Sequence, residues 1–393
     1  MGSSDQLAAS TGRGHASGMT RVRVLHVLRE AHFWIGIVLS IPFILLGLSG
    51  SYLTYHQEFE ALLGGAPRYQ ASSGPARPPA DILNAALIAA GPDSVASSLT
   101  LPRLEGLPAT VRVGPQGAGP RDSRARTLAV DPVSLEVLGE VSTGGAITRF
   151  LHDLHGRLLI PAVGRPIVGW LGVCMLLLGI SGLVLWWPRR GQWKQALTVQ
   201  ARAKGYRFHR DLHGAVGFWT LSVFLLVSFT GVYIAFPQSL SALLGLPAAG
   251  PAGVPPQAVV APAGPDATLA DYFVLAKAAV PDGEPYSAML PFRPGMGTRV
   301  ALAYPGMGEG APAILATIDT EAGVVSELRD PRTYGVGEVF QAWQRPLHMG
   351  LGWGPIWQFL VFLSGFLPLL FAITGVSMWL IKRRNRRRMQ AAS

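Results

Sequence analysis

Four stretches of this chain are apolar for about the ~20 residues that cross the hydrocarbon core of a bilayer. Residues 33–55, 166–187 and 214–236 carry no charge, and a longer uncharged run fills 349–381. In that last run the helix is expected to begin near Pro355, a favourable first-turn residue. Gly350-Leu-Gly-Trp-Gly354 then reads as an interfacial approach. Between the spans the pattern changes. Residues 78–141 start with a helical pattern from Asp81 and continue into strand-like pieces at 98–103, 110–113 and 127–130. Residues 268–328 repeat that order, with a helix at 269–280 and strands at 288–292, 298–304 and 313–319. Both third strands end in Asp and a turn (Asp131, Asp319), followed by a further apolar pair. Each region predicts a small α+β domain, one helix on a short antiparallel sheet. The Pro/Ala/Gly-rich stretches 64–80 and 247–266 read as linkers.

The spans repeat as well. His32 precedes Gly36 and Ser49-Gly50, as His213 precedes Gly217 and Thr230-Gly231, with 18 positions from His to the second Gly of each motif. His155 precedes Ser181-Gly182 and Trp186, as His348 precedes Thr374-Gly375 and Trp379, at 27 and 31 positions in both copies. The expected fold class is therefore a membrane α-helical protein. Four transmembrane helices form two parallel repeats about an axis along the membrane normal, with two small α+β domains outside.

Composition fits that picture. Hydrophobic residues make up 49% and charged residues 14%, with a net charge of +10; a soluble domain carries about a quarter charged residues. The basic excess is local. Residues 1–31 hold four Lys/Arg against two acids, 188–213 seven against Asp211, and 382–393 six against none. All three lie on one side of an even number of spans, so both termini are expected in the cytoplasm. This gives a cytoplasmic segment 1–31, a first span within 32–56, an outer domain 57–151, and a second span with its histidine approach within 152–187. A basic loop 188–208, a third span within 209–237, an outer domain 238–344, a fourth span with its approach within 345–381 and a basic tail 382–393 follow. No small-residue cleavage site follows the first span, which reads as a retained anchor. The basic tail directly follows a span, so it is assigned to topology and not to nucleic acid. The single cysteine, Cys174, excludes a disulfide framework, Cys-ligated iron–sulfur clusters, multi-cysteine zinc sites and c-type haem attachment.

Nine histidines remain as chemistry. His15 lies in a polar, unpatterned stretch; the other eight sit near span ends. Histidine is costly in hydrocarbon, so placement at two depths points to function. Imidazole ligates iron, copper and zinc, but no second ligand type recurs and the spans contain no carboxylate. Haem b needs only one or two imidazoles on facing helices and an apolar slot with small residues. The repeat pairs His32 with His213 at one depth and His155 with His348 at the other, each pair gripping one haem iron. Each of the four spans thus supplies one ligand. Gly36 and Gly217, one turn past their histidines, leave room for a porphyrin edge. His152 and His209 are alternative ligands, with His56 and His26 behind them. Arg345, Arg157 and Arg165 suit haem propionates or lipid headgroups equally. Trp34, Trp186, Trp187, Trp219, Trp353, Trp357 and Trp379 read as an interfacial belt, with Trp353 and Trp343 as weaker candidates to face an outer ligand. Gly350, Gly352 and Gly354 lack the strand–GxGxxG–helix setting of a dinucleotide site.

These residues resemble the PepSY-associated membrane-helix family, whose marks stand here as Ala31-His32…Gly36, Leu212-His213…Gly217, Leu154-His155-Gly156, Leu347-His348-Met349-Gly350 and the four [ST]-Gly pairs. The likeness runs from about Arg21 to Arg388; residues 1–20 have no counterpart in it. Within the family the chain is most similar to the inner-membrane ferric-siderophore reductases of the ferrioxamine type. The resemblance implies PepSY domains in the periplasm of a Gram-negative bacterium. It also implies a two-haem b electron path that reduces siderophore-bound Fe(III) there and releases Fe(II) under iron starvation. No flavin or nicotinamide motif is visible, so the donor is membrane quinol or a separate cytoplasmic partner. Two other readings stay open: a membrane-anchored PepSY binding or regulatory module without redox activity, and an iron-chelate transporter.

Overall fold

The computed structural model of the chain describes residues 22–62, 69–103, 105–116, 124–141, 145–200, 202–246, 267–290, 297–308 and 310–392. His15, the linker at 247–266, residues 64–68 of the other linker and the last two positions of the strand expected at 288–292 lie outside them.

Three helices are long and apolar enough to cross a membrane, and a bent pair makes four. That pair is α1 (Val22–Val38) and α2 (Ser40–Thr54), bent by 63° where one span of 33–55 was expected. Pro42 explains the bend: it has no N–H to donate, and its ring crowds the carbonyl four residues back, at Val38. After α3 (His56–Leu62) the chain enters the sheet region with α4 (Pro79–Ala90), then β1 (Val95–Thr100), β2 (Ala109–Gly114), β3 (Arg126–Val130) and β4 (Val137–Val141). It returns through α5 (Ala146–Arg157) to α6 (Gly164–Trp186), a short α7 (Trp193–Ala196) and the 31-residue α8 (Gly205–Ala235). The second passage repeats the order: α9 (Pro237–Leu243), α10 (Leu269–Ala279), β5 (Glu284–Met289), β6 (Thr298–Ala303), β7 (Ile314–Asp319) and β8 (Val324–Arg329). Then come α11 (Val336–His348), α12 (Gly354–Ser364) and α13 (Leu367–Ala392). Pro355 stands in the first turn of α12, as its chemistry favours. The last span is interrupted at Gly365–Phe366, just before Pro368, whose ring crowds the carbonyl four residues back, at Ser364.

The sheet corrects one expectation. Two separate α+β domains were expected, but the eight strands form one antiparallel sheet in the order β4-β3-β2-β1-β5-β6-β7-β8. β1 and β5 are the strands each half would otherwise leave as open edges, and they pair through Ser98↔Met289, Leu99↔Ala288 and Thr100↔Ser287. An open edge presents unpaired backbone groups; joining the halves satisfies them. The two helices α4 and α10 pack on the same face and against each other. One core therefore runs under both, with Ile82, Leu99, Val111, Val130, Leu302, Ile314 and Ile318 all at 0% exposure. β4 and β8, seen in the sequence only as apolar pairs, complete the sheet. The aspartates before them close the turns. Asp319 accepts from the N–H groups of Glu321 and Ala322, and Asp131 from those of Val133 and Ser134. Asp131 also accepts from the Ser72 N–H and hydroxyl, tying the incoming segment to the sheet. Burial works to raise this carboxyl, and these donors, led by the Ser72 hydroxyl, outweigh it and hold it well below the usual carboxylate range.

Candidate functional site

The histidines come together in two pairs. His32 on α1 faces His213 on α8 with ring centres 6.4 Å apart. His155 on α5 faces His348 on α11 with ring centres 5.9 Å apart. The second pair carries a correction: its histidines stand on α5 and α11, short helices before the spans α6 and α12, so the four spans do not each supply one. The chain turns sharply after both helices. Leu158, Leu159 and Ala162 take positive φ after α5, and Gly350, Gly352 and Gly354 do so after α11. Leu158, Leu159 and Ala162 hold a conformation that costs a residue with a Cβ, whereas glycine adopts it freely. α5 then packs on α2, and α11 on α8.

Each imidazole is held by the Ser or Thr of a [ST]-Gly motif. His32 Nδ1 lies 2.9 Å from Ser181 Oγ, and His213 Nδ1 lies 2.8 Å from Thr374 Oγ1. His155 Nδ1 is 2.9 Å from the Leu46 carbonyl and 3.3 Å from Ser49 Oγ; His348 Nδ1 is 3.0 Å from the Val227 carbonyl and 3.2 Å from Thr230 Oγ1. These partners fix the tautomer. All four hydroxyls already donate to carbonyls of their own helices: Ser181 to Leu178, Thr374 to Leu370, Ser49 to Leu45 and Thr230 to Leu226. That leaves them placed to accept from the ring, as the Leu46 and Val227 carbonyls must. A carbonyl only accepts, so Nδ1 carries the proton in His155 and His348, and their Nε2 atoms keep a free lone pair.

The glycines make the room. A Cβ on Gly50 would stand 2.9 Å from His155 Cε1, one on Gly231 would stand 2.9 Å from His348 Cε1, and one on Gly182 would stand 3.3 Å from His32 Cε1. These motif glycines seat the imidazole. Gly36 and Gly217 border open space, since a Cβ there would meet only Leu178 at 3.9 Å and Phe371 at 3.8 Å, and one on Gly375 would meet nothing within 4 Å.

The pairs suit an axial haem ligation. With nitrogen about 2.0–2.1 Å from a bound metal and the ring centre about 1.1 Å behind it, two imidazoles on one iron stand about 6.3 Å apart centre to centre. Both measured separations lie within half an ångström of that. A carbonyl or hydroxyl taking the Nδ1 proton is also the usual outer support of a metal-bound histidine. Among the described residues no group of three or more His, Cys, Asp and Glu side chains is placed to hold a metal ion. Two nitrogens per site are too few for a tetrahedral zinc site and suffice for the two axial positions of haem. Seventeen positions of the unbroken α8 separate His213 from Thr230, the partner of His348, about 25 Å of helix, so the two pairs stand near opposite ends of α8.

The other candidates fall outside the pairs. His152 and His26 are exposed, with His26 Nδ1 against the Arg29 guanidinium at 3.0 Å. His56 Nδ1 lies 3.0 Å from the Leu53 carbonyl. His209 lines a cavity between α8 and the last span. Arg157 is occupied by Asp153 at 2.6 Å, and Arg165 donates to the Ile234 carbonyl; Arg345 is exposed at the head of its turn, close to His348. Trp34, Trp187, Trp219 and Trp353 are exposed as a belt requires, but Trp357 is buried under α11, donating to the Leu347 carbonyl at 3.1 Å. Trp343 packs against Gly352.

Ser181 is the only hydrogen-bond partner of the His32 ring among the described residues. If the His32–His213 pair holds a haem, Ser181→Ala is expected to weaken its retention about 10–100-fold, the usual cost of losing such a support. Ser181→Thr, which copies Thr374, restores it. Haem transfer to an apoglobin scavenger reads both.

The model of a family described as the PepSY-associated TM region matches residues 29–382. An uncharacterised protein of Pseudomonas aeruginosa is 36% identical over 102 residues, covering 26% of this chain and 25% of that protein. The chain thus matches about a quarter of that relative's length.

Proposed function

Since the chain belongs to the PepSY-associated TM region family, we propose that it is a two-haem b reductase of a bacterial inner membrane that delivers electrons to siderophore-bound Fe(III) in the periplasm. One observation carries this reading. Two imidazole pairs each stand with ring centres close to the separation of two imidazoles on one iron.

In this reading the chain is two parallel repeats. The spacing of the four histidines and their [ST]-Gly partners supports it, as does a sheet order that reads the same outward from the β1–β5 seam. The basic bias of residues 1–31, 188–213 and 382–393 supports cytoplasmic termini and a periplasmic sheet.

Haem b at each pair supplies a one-electron carrier, and so a path between the two faces of the membrane. The chain's residues do the rest. His32 and His213 hold the inner site and His155 and His348 the outer one, each by Nε2. Ser181, Thr374, Ser49 and Thr230 keep the Nδ1 protons in place and make the rings better donors. Arg345 suits a propionate of the outer site, because Arg157 is spent on Asp153. The ferric chelate docks against the sheet region. Its iron is held by hard oxygen donors; one electron turns Fe(III) into Fe(II), a less strongly polarising ion that those donors hold weakly.

The test is a stoichiometry. Reduced, desalted protein is mixed with ferric hydroxamate siderophore and a chromogenic Fe(II) trap without oxygen. One Fe(II) is expected for each haem reoxidised. Haem that stays reduced beside the chelate overturns the reading.

A further inference from the structure

A cavity of about 620 Å³ opens between α8 and the last span, a size within the range of small-molecule sites, ~300–1,000 Å³. It lies beside the Gly365–Phe366 interruption, where Leu363, Phe366 and Leu367 line it. It is long: lining residues Leu360 and Thr374 are fourteen positions apart, about 20 Å along a helix. Its walls are almost wholly aliphatic and aromatic, and its inner end is not. His209 stands there beside Phe208, and neither of its ring nitrogens has a hydrogen-bond partner among the described residues. Thr374, a second lining residue at that end, stands 2.8 Å from His213 Nδ1 through its Oγ1. One side chain therefore separates the cavity from the inner histidine pair.

A lipid chain would need only the apolar length. It gives no reason for a hydrogen-bonding ring at one end, or for contact with a residue that hydrogen-bonds the inner histidine pair. A molecule with a long apolar tail and a ring carrying two hydroxyl groups uses both features. We propose that the cavity binds a membrane quinol, with its ring at His209 and its tail between α8 and the last span, and that this quinol is the electron donor. The proposal rests on the two-haem reading above. In the step, both O–H bonds of the quinol break and two C=O bonds form. Two electrons leave one at a time through the inner site and reduce two Fe(III) chelates in succession. One proton goes to a ring nitrogen of His209, which is only partly buried, and the other to water at the cytoplasmic surface.

The test uses the haem-loaded full chain and an azido-ubiquinone photolabel. Label is expected on peptides within 205–223 and 360–374. Excess short-chain ubiquinone displaces it, and dioleoylphosphatidylethanolamine does not. His209→Leu, which removes one hydrogen bond to the ring, lowers labelling and quinol-driven haem reduction about tenfold. Leu370→Trp, which fills the cavity, abolishes both. Dithionite reduces the haem of all three proteins alike. Labelling that is equal in the three proteins, or displaced as well by the phospholipid, makes the cavity a lipid groove and overturns the proposal while the two-haem reading stands. Specific labelling of a chain that holds no haem overturns that reading instead, and with it the donor role.

Discussion

On the proposed two-haem reading, His348→Ala is expected to leave one haem per chain in place of two. The outer iron loses one of its two nitrogens, and the remaining ring, His155, cannot grip it from both sides. The fold survives the change. His348 is the last residue of α11, and the helix keeps its anchors in Leu347, buried beside Trp357 and Val361, and in Gln344. Nothing polar is stranded, since Thr230 still donates to the Leu226 carbonyl. The inner pair, about 25 Å along α8, is untouched. His155→Ala gives the same loss, and the double variant loses no more than either single one. His152→Ala is expected to keep both haems, because His152 is exposed and stands outside the pair. Haem content, and collapse of a split reduced α-band into one component, read these outcomes.

Gly365→Val removes most of the folded protein. A Cβ at Gly365 would overlap the Gly47 carbonyl and Ser51 Oγ on α2. Gly47 and Ser51 are one turn apart and form a small-xxx-small face, the kind that lets membrane helices cross closely. Ser51 uses that closeness to donate to the Phe362 carbonyl at 2.7 Å. The obstacle is backbone, so no rotamer change relieves it. The first and last spans must separate, at a cost of about 3 kcal/mol or more. Gly156→Ala is the control. Nothing lies within 4 Å of the added methyl, and the change favours α5 by up to ~1 kcal/mol. Monodisperse yield in detergent and thermal stability distinguish the two.

Much of this was legible in the sequence, for physical reasons that also mark the limit. Apolar runs of span length and period-two strands are local signals, so the spans, α4, α10 and six of the strands could be placed. The repeat placed the histidines in their pairs, because equivalent positions in two like halves lie at equal depth. The bend at Leu39 was not placed. Pro42 sits in an unbroken apolar run, and packing decides whether a proline bends a span. The β1–β5 seam joins strands some 190 positions apart and leaves no local trace. The [ST]-Gly pairs were seen as a motif without a task. The signal was present, since each recurs at a fixed distance from a histidine. The histidine it holds, however, stands on a different helix: Ser181 on α6 reaches back to His32 on α1, and Thr230 on α8 reaches forward to His348 on α11. His209 entered as an alternative ligand; its place on α8 turned it out of the pair and into the cavity.

The most direct measurement is the ratio of haem to protein in wild-type chain purified from haem-replete cells, taken by pyridine haemochrome against amino-acid analysis. Two haem b per chain is the expected result. A folded, monodisperse preparation with no Soret band would show that the four Nε2 lone pairs hold no iron, and would contradict the two-haem site outright.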